Sequence, residues 1–427
     1  MFGIIIGLAL LMFLAYKGMS IIWVAPICAA IVALTGGLEL LPSYTDTYMT
    51  GFVNFTKSWF PVFMLGAIFG KVMDESGAAR SVAFWITKLI GTKFAIAAVV
   101  AACGILTYGG VSLFVVVFAI YPLAVALFRE ANISRKLIPG TIALGSFTFT
   151  MTALPGTPQI QNLIPMQYFG TTPTAAPIIG VVGAIVMAGG GLLWMNYSQK
   201  KLTAAGERFV ELDKKIEEVN EASLPNPLLS ALPLLTVIIL LNLFKFNIIT
   251  SLIAGTLVGI ALGFNRLPKL IETINAGAAG SVLAIINTSA AVGFGAVVRA
   301  VPGFQGLVNF VLSIEGNPLI SEAIAVNILA GATGSASGGM GIALEALGAQ
   351  YVELAAQTGV PLEAFHRIAS MSSGGLDTLP HNGAVLTLLA VCAMTHKDSY
   401  KDIFMVGCFI PIIAVVVGII LASIGLI

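Results

Sequence analysis

Two ionisable residues four positions apart, Asp377 and His381, stand in a stretch that is otherwise mostly glycine, hydroxyl and amide: Ser372-Ser373-Gly374-Gly375-Leu376-Asp377-Thr378-Leu379-Pro380-His381-Asn382. Histidine titrates near neutrality, so a His–Asp pair at this spacing could take up and release a coupling proton. Two other readings stay open. Asp377 could cap a following half-helix while His381 donates to a freed carbonyl, or Asp377 could ligate sodium. Three further segments share the composition: Thr107-Tyr108-Gly109-Gly110, Pro155-Gly156-Thr157-Pro158-Gln159 with Gln161 and Asn162 just beyond, and Thr333-Gly334-Ser335-Ala336-Ser337-Gly338-Gly339. None of the four contains Arg or Lys. The candidate substrate-binding set is Thr107, Tyr108, Gly109, Gly110, Gly156, Thr157, Gln159 and Asn162 from the first half. The second half adds Ser335, Ser337, Gly338, Ser372, Ser373, Thr378 and Asn382, with Asp377 and His381 as the proton-coupling pair.

Each segment interrupts an apolar run. The runs form two helical hairpins, near 93–130 and 318–357, and two broken helices, near 137–166 and 361–394. The early hairpin limbs are short for a full crossing and read as re-entrant. Breaking a helix in lipid frees backbone N–H and C=O groups, each costly unless it meets protein, water or a ligand. A tip and a break from each half, converging near the midplane, would create a polar pocket. Paired, interrupted apolar segments in matching halves are the sequence sign of a secondary transporter. Helix N-termini suit an anion there and carbonyl ends a cation. One helix end contributes about 0.3–1 kcal/mol when exposed and about 2 kcal/mol when partly buried. With no basic side chain in the breaks, a small monoanion carrying its own hydroxyl is favoured over a di- or tricarboxylate.

Composition sets the class. Charged residues are 10% of the chain and hydrophobic ones 58%, against roughly a quarter charged in a soluble domain. Spans of about 20 apolar residues cross a bilayer, so the chain is expected to be an all-α polytopic membrane protein. The runs are apolar on every face, unlike the alternating strands of a barrel. Most of the 46 glycines are expected to let helices approach closely. The pairs Gly109-Gly110, Gly338-Gly339 and Gly374-Gly375 are expected to unwind theirs. Cys28, Cys103, Cys392 and Cys408 show no CxxC spacing and read as inert buried thiols. Net charge is +1, and neither nucleic acid, metal nor cofactor is expected. The first apolar stretch has no positive segment before it and reads as a retained helix.

Spans are expected near 2–16, 20–37, 58–76, 174–197, 227–245, 247–265, 275–300 and 404–426, besides the broken pair. The polar stretch 198–226 separates a first repeat, 1–197, from a second, 227–427. Placed in the cytoplasm by its Lys and Arg excess, it puts Lys17, Arg80, Lys88, Lys93, Arg129, Arg135, Lys136, Arg266, Lys269, Lys397 and Lys401 on the same side. Lys57, Lys245, Arg299 and Arg367 are left outside. Both termini then lie outside, and the halves, with the same element order, begin on opposite sides: two inverted-topology repeats. A bundle of ten to twelve helices without a repeat is the plainer alternative. Lys71 and Arg299 are expected to snorkel near helix ends, Glu345 to pair or titrate, and His366 and His396 to be solvated. Trp59, Phe60 and Phe63 read as an interfacial anchor or scaffold contact.

At these residues the chain resembles the gluconate:proton symporter (GntP) family of the ion transporter superfamily. The resemblance runs through GAIFGKVMDESGAARSVAFWITKLIG (66–91), ALPGTPQIQNLIP (153–165), TGSASGGMGI (333–342) and SGGLDTLPHNGAV (373–385). It implies a bacterial inner-membrane symporter of small sugar acids or hydroxy acids. From the wider superfamily it also implies a homodimer whose scaffold, including 20–37 and 227–265, holds an elevator-like transport domain. Gluconate permeases carry a His-Pro segment where this chain has Leu154-Pro155-Gly156-Thr157-Pro158-Gln159, and order His before Asp where Asp377 here precedes His381. The chain is more similar to the hydroxybutyrate-permease branch, so 3-hydroxybutyrate or a similar short hydroxy monocarboxylate is the first choice. Gluconate and sodium-coupled organic-anion transport are alternatives. A channel would need a continuous polar pore. An intramembrane enzyme finds no HExxH, and GAIFGK (66–71) lacks the P-loop's spacing and Ser/Thr. Serine-hydrolase chemistry with Ser372 or Ser373 and His381 is conceivable but unnecessary.

Overall fold

The structure, a computed structural model, describes residues 2–17, 19–211, 220–306, 317–380 and 382–427. Its regular secondary structure among these residues is entirely helical. Six helices are long and apolar enough to cross a membrane, or seven if one bent pair is a single span. The chain is therefore a multi-pass membrane protein.

Two short apolar helices, α1 (Phe2–Tyr16) and α2 (Ile21–Thr35), precede α3 (Leu40–Glu75), which is 36 residues long. At 1.5 Å per residue α3 reaches about 54 Å, far beyond the roughly 30 Å of hydrocarbon. Then come α4 (Ala78–Ile90) and the first hairpin, α5 (Ala95–Tyr108) and α6 (Leu113–Glu130). The first broken helix is α7 (Ile138–Ser146), α8 (Phe149–Thr152) and α9 (Ile160–Phe169), and α10 (Pro177–Ala204) closes this half. The second half runs α11 (Pro227–Asn242), α12 (Ile248–Gly263) and a second long helix, α13 (Leu270–Ala300). Its hairpin is α14 (Pro318–Thr333) and α15 (Ala336–Thr358). Its broken helix is α16 (Leu362–Ser373), a 3-10 turn (Leu376–Thr378) and α17 (Gly383–Val391), and α18 (His396–Ser423) ends the chain.

Local chemistry fixes many starts. Asn226, Asn247, Asn317 and Asn382 each accept from amides in the first turn of the helix that they precede. Proline opens α10, α11 and α14, where its missing N–H costs nothing.

The long helices α3 and α13 form an antiparallel pair. Tyr48 Oη donates to the Ala290 carbonyl at 3.1 Å, and the Thr56 and Ser289 hydroxyls meet at 2.8 Å. Along the seam, Gly293 lies against Tyr48 and Gly277 against the backbone of Ile68. This is small-residue packing that lipid favours between helices. α3 also packs on α12, and α13 on α2.

Several expectations need correction. The span placed at 58–76 begins at Leu40. Its first part, Ser43-Tyr44-Thr45-Asp46-Thr47-Tyr48, is too polar to signal a span, yet it continues as a π-helical turn held on α13. Lys57, just before the expected start of that span, consequently sits near the middle of α3. Residues 78–90, left without an element, form α4, which meets the next limb at 98°. α10 continues past 197 to Ala204, and α18 starts eight residues before 404. Gly338-Gly339 does not unwind its helix. The break is only Gly334-Ser335, and the two glycines lie in the first turns of α15, where a Cβ on Gly339 would strike the Ala330 backbone of α14. All four cysteines are free and buried, as expected.

Candidate functional site

Four interruptions meet around one cavity of about 460 Å³. The first hairpin contributes Gly110, Ser112, Leu113 and Phe114, and the first break Pro158, Gln159, Ile160 and Gln161. The second hairpin tip supplies Thr333 to Gly338, and the second break Asp377 and Asn382 to Ala384. The rest of the wall includes parts of α3, with Phe63 and Gly66, and of α13, with Ser281, Asn287 and Thr288, together with apolar residues such as Ile21, Met151 and Leu252.

The tips turn where backbone freedom allows. Gly110 sits at φ +96° and Gly334 at φ +58°, a region that side chains disfavour. The helix that resumes after each interruption matters more. α6, α9, α15 and α17 all begin at the cavity wall, so four helix N-termini with their partial positive charge converge there. Two of these ends are capped. Ser335 Oγ accepts from Gly338 N at 3.2 Å, and Asn382 Oδ1 accepts from Ala384 N at 2.6 Å and Val385 N at 2.9 Å. Ser112 and Gln159, at the starts of α6 and α9, make no side-chain cap, so the first-turn amides there are available to a ligand. Among the lining residues Asp377 is the one ionisable side chain. It is buried, and its Oδ1 has no hydrogen-bond partner among the described residues.

Side-chain amides tie tips to breaks. Gln159 Nε2 donates to the carbonyls of Thr107 (2.7 Å) and Val111 (3.3 Å), joining the first break to the first tip. Asn382 Nδ2 donates to the carbonyls of Gly334 (2.9 Å) and Asp377 (2.8 Å), doing the same in the second half. The hydroxyls of Thr288, Ser337 and Ser335 form a chain with steps of 3.4 and 3.5 Å along the cavity edge.

Of the sequence-predicted residues, Gly110, Gln159, Ser335, Ser337, Gly338, Asp377 and Asn382 line the cavity. The others stand behind it. Thr107 is buried, and Gly109 packs on Leu234. Tyr108 Oη donates to the Pro155 carbonyl at 2.9 Å. The Gly156 carbonyl accepts from Asn242 at 2.9 Å. The Thr157 carbonyl accepts from Asn162, whose Oδ1 serves Arg367. Ser372 and Ser373 belong to the end of α16, Ser373 bonding back to the Ser370 carbonyl. Thr378 turns to Cys408. His381 lies outside the described residues.

Sequence reasoning missed Ser112, Ser281, Asn287 and Thr288. The polar residues of α13 carried a signal, since Ser281, Ala284, Asn287, Thr288 and Ala291 recur at helical spacing on one face. Phe63, read as an anchor, lines the cavity because α3 passes it at mid-length. Arg367, read as lying outside, and His366, read as solvated, are both fully buried. Arg367 donates to the carbonyls of Ala175 and Pro173 and to Asn162 Oδ1 at 2.8 Å. His366 Nε2 is 3.2 Å from Asn162 Oδ1, and its Nδ1 is 2.6 Å from the Thr171 hydroxyl. A carbonyl cluster, formed when the chain turns between α9 and α10, thus holds a guanidinium with no acid beside it among the described residues. His396 is also not free, its Nε2 lying 2.9 Å from the Pro380 carbonyl. Glu345 pairs with Arg299 at 3.1 Å, and Lys71 with Glu75 at 2.7 Å.

Comparison with known proteins adds a lineage. Residues 1–244 match the model of the GntP family permeases. The chain is 44% identical to the uncharacterized transporter YxjC of Bacillus subtilis, with 94% of each chain covered. It is 29% identical to an uncharacterized permease of Haemophilus influenzae over 56% of this chain and 50% of that one. In fold it is similar to the crystal structure of the Alcanivorax borkumensis YdaH transporter, described as having an unusual topology. The TM-score is 0.58 at 14% identity, covering 90% of this chain and 88% of that one.

Proposed function

The chain belongs to the GntP permease family, and from that premise we propose that it is a secondary active transporter. Its substrate is a small hydroxy monocarboxylate of the 3-hydroxybutyrate kind, carried with a proton across the bacterial inner membrane. The observation that carries this reading is the convergence of four helix N-termini on a cavity that no Lys or Arg lines among the described residues. Two uncapped ends, each contributing about 0.3–1 kcal/mol and up to about 2 kcal/mol when partly buried, suffice for one carboxylate. A second or third carboxylate would find no further charge. The substrate carboxylate lies against the starts of α6 and α9, and its hydroxyl meets the Thr288–Ser337–Ser335 hydroxyls. Asp377 carries the coupling proton: neutral, it can sit in this buried place, whereas its charge there would be costly.

The working unit is an inverted pair of repeats, 1–197 and 227–427, joined by 198–226. Corresponding helices α3 and α13 run antiparallel, and α3 on α12 mirrors α13 on α2. Both features suit a two-fold axis in the membrane plane. α1–α3 and α11–α13 form the scaffold. The hairpins and broken helices form the part that travels as an elevator, in a homodimer with both termini in the periplasm. The Arg299–Glu345 pair links α13 to α15 and would break as that part moves.

Uptake of labelled 3-hydroxybutyrate into proteoliposomes tests this directly. An inward proton gradient without sodium should give accumulation that a protonophore abolishes, with unlabelled gluconate competing weakly. Uptake that requires sodium would make Asp377 a cation ligand. No uptake with either cation would overturn the substrate assignment.

A further inference from the structure

Glu322 lies in α14, one turn from the hairpin base at Pro318 and about 18 Å from the tip. It is fully buried, and neither carboxylate oxygen has a hydrogen-bond partner among the described residues. A structural carboxyl in such a place would be held in a network. One left alone adds no stability, and its charge would cost far more there than its protonated form.

α14 packs on α15, α16, the 376–378 turn, α1 and α18. On α15, the Tyr351 hydroxyl is also buried and has no hydrogen-bond partner among the described residues, with Ser321, the neighbour of Glu322 in the chain, beside it. The other acids of α15 are engaged or exposed: Glu345 pairs with Arg299, and Glu353 faces out. On α16, His366 and Arg367 are bonded to Asn162 and first-half carbonyls, and Glu363 is exposed. Asp377 lines the cavity. The charged residues of α18 are confined to its first turns, at 396–402. The two packed limbs of this hairpin thus each bury a polar group that has no hydrogen-bond partner among the described residues, a carboxyl on α14 and a phenol on α15.

We propose that Glu322 is a second proton-binding site, loaded and unloaded from the hairpin base, with Tyr351 Oη turning to donate to the carboxylate when the proton leaves. The proposal rests on the proton-coupled reading above but is separable from it by experiment. The full-length protein in proteoliposomes is treated with dicyclohexylcarbodiimide, which attacks protonated carboxyls out of water, and the peptide carrying residue 322 is examined by mass spectrometry. The adduct should form at pH 6 and fall at least tenfold by pH 9.5. It should persist in Glu322→Asp and in Asp377→Asn, and vanish in Glu322→Gln. Under a proton gradient Glu322→Gln should accumulate substrate at least tenfold less than the unmodified chain while keeping exchange. No adduct at any pH, an adduct of equal yield at both pH values, or full accumulation by Glu322→Gln would overturn the proposal. If 3-hydroxybutyrate is not transported at all, the substrate reading fails, and the labelling still decides for or against Glu322.

Discussion

The two hairpin–break pairs have the same parts and different chemistry. In the first half, α6 and α9 start without a side-chain cap, Gln159 reaches back to Thr107 and Val111, and the charge that touches α9 at Asn162 is Arg367 of the other half. In the second half, α15 and α17 are capped by Ser335 and Asn382. The buried carboxyls Glu322 and Asp377, the imidazole of His366 and the guanidinium of Arg367 all belong to this half. The two halves thus bring different groups to one cavity: helix starts without a side-chain cap from the first, capped starts and a buried carboxyl from the second. On the proposed function the former would hold the anion and the latter the proton.

The sharpest way to break this division is Asp377→Asn. Accumulation driven by a proton gradient should fall at least a hundredfold, while exchange of labelled for unlabelled substrate continues. Equal loss of both would give Asp377 a binding or folding role instead. Next in size is Gly110→Val. The residue needs φ +96°, and a Cβ would lie 3.2 Å from Pro158. Uptake should drop at least tenfold, with normal insertion judged by size-exclusion profile. Unchanged uptake would remove the first tip from the site. Gln159→Leu deletes two hydrogen bonds, each worth about 0.5–1.5 kcal/mol net, and should raise KM several-fold with a smaller change in maximal rate. Asn382→Ala strips a cap, costing about 1 kcal/mol, and should lower the thermal midpoint in detergent. The smallest effect belongs to Lys88→Ala. The Lys88–Glu221 pair is exposed on both sides, and such pairs contribute about 0–1 kcal/mol, so midpoint and transport should both stay unchanged.

The sequence exposed the parts of this frame that apolar runs and glycine clusters mark: the hairpins, the breaks and the element order. It hid what depends on partners distant in the chain. Residues 43–57 read as polar and therefore outside a span, yet they are helical because α13 holds them through Tyr48 and Ser289. Arg367 read as an outer-side charge because nothing local shows that the carbonyls of Pro173 and Ala175 will surround it. The site was half legible. Residues at helix starts, such as Ser335, Gln159 and Asn382, do face the cavity. Those at the ends of the preceding helices, such as Ser372 and Thr107, support it from behind. A break shows where a helix stops, but which side chains face inward is set by the turn after it.

On the proposed function, substrate sits where the four helix starts converge. The most direct test is alkylation of single cysteines, Ser112→Cys and Ser337→Cys, placed on a chain whose four native cysteines are replaced. Both should react with a small maleimide, and 3-hydroxybutyrate should slow both reactions at least fivefold. Protection at neither position, in protein that still transports, would place the substrate elsewhere and contradict the account.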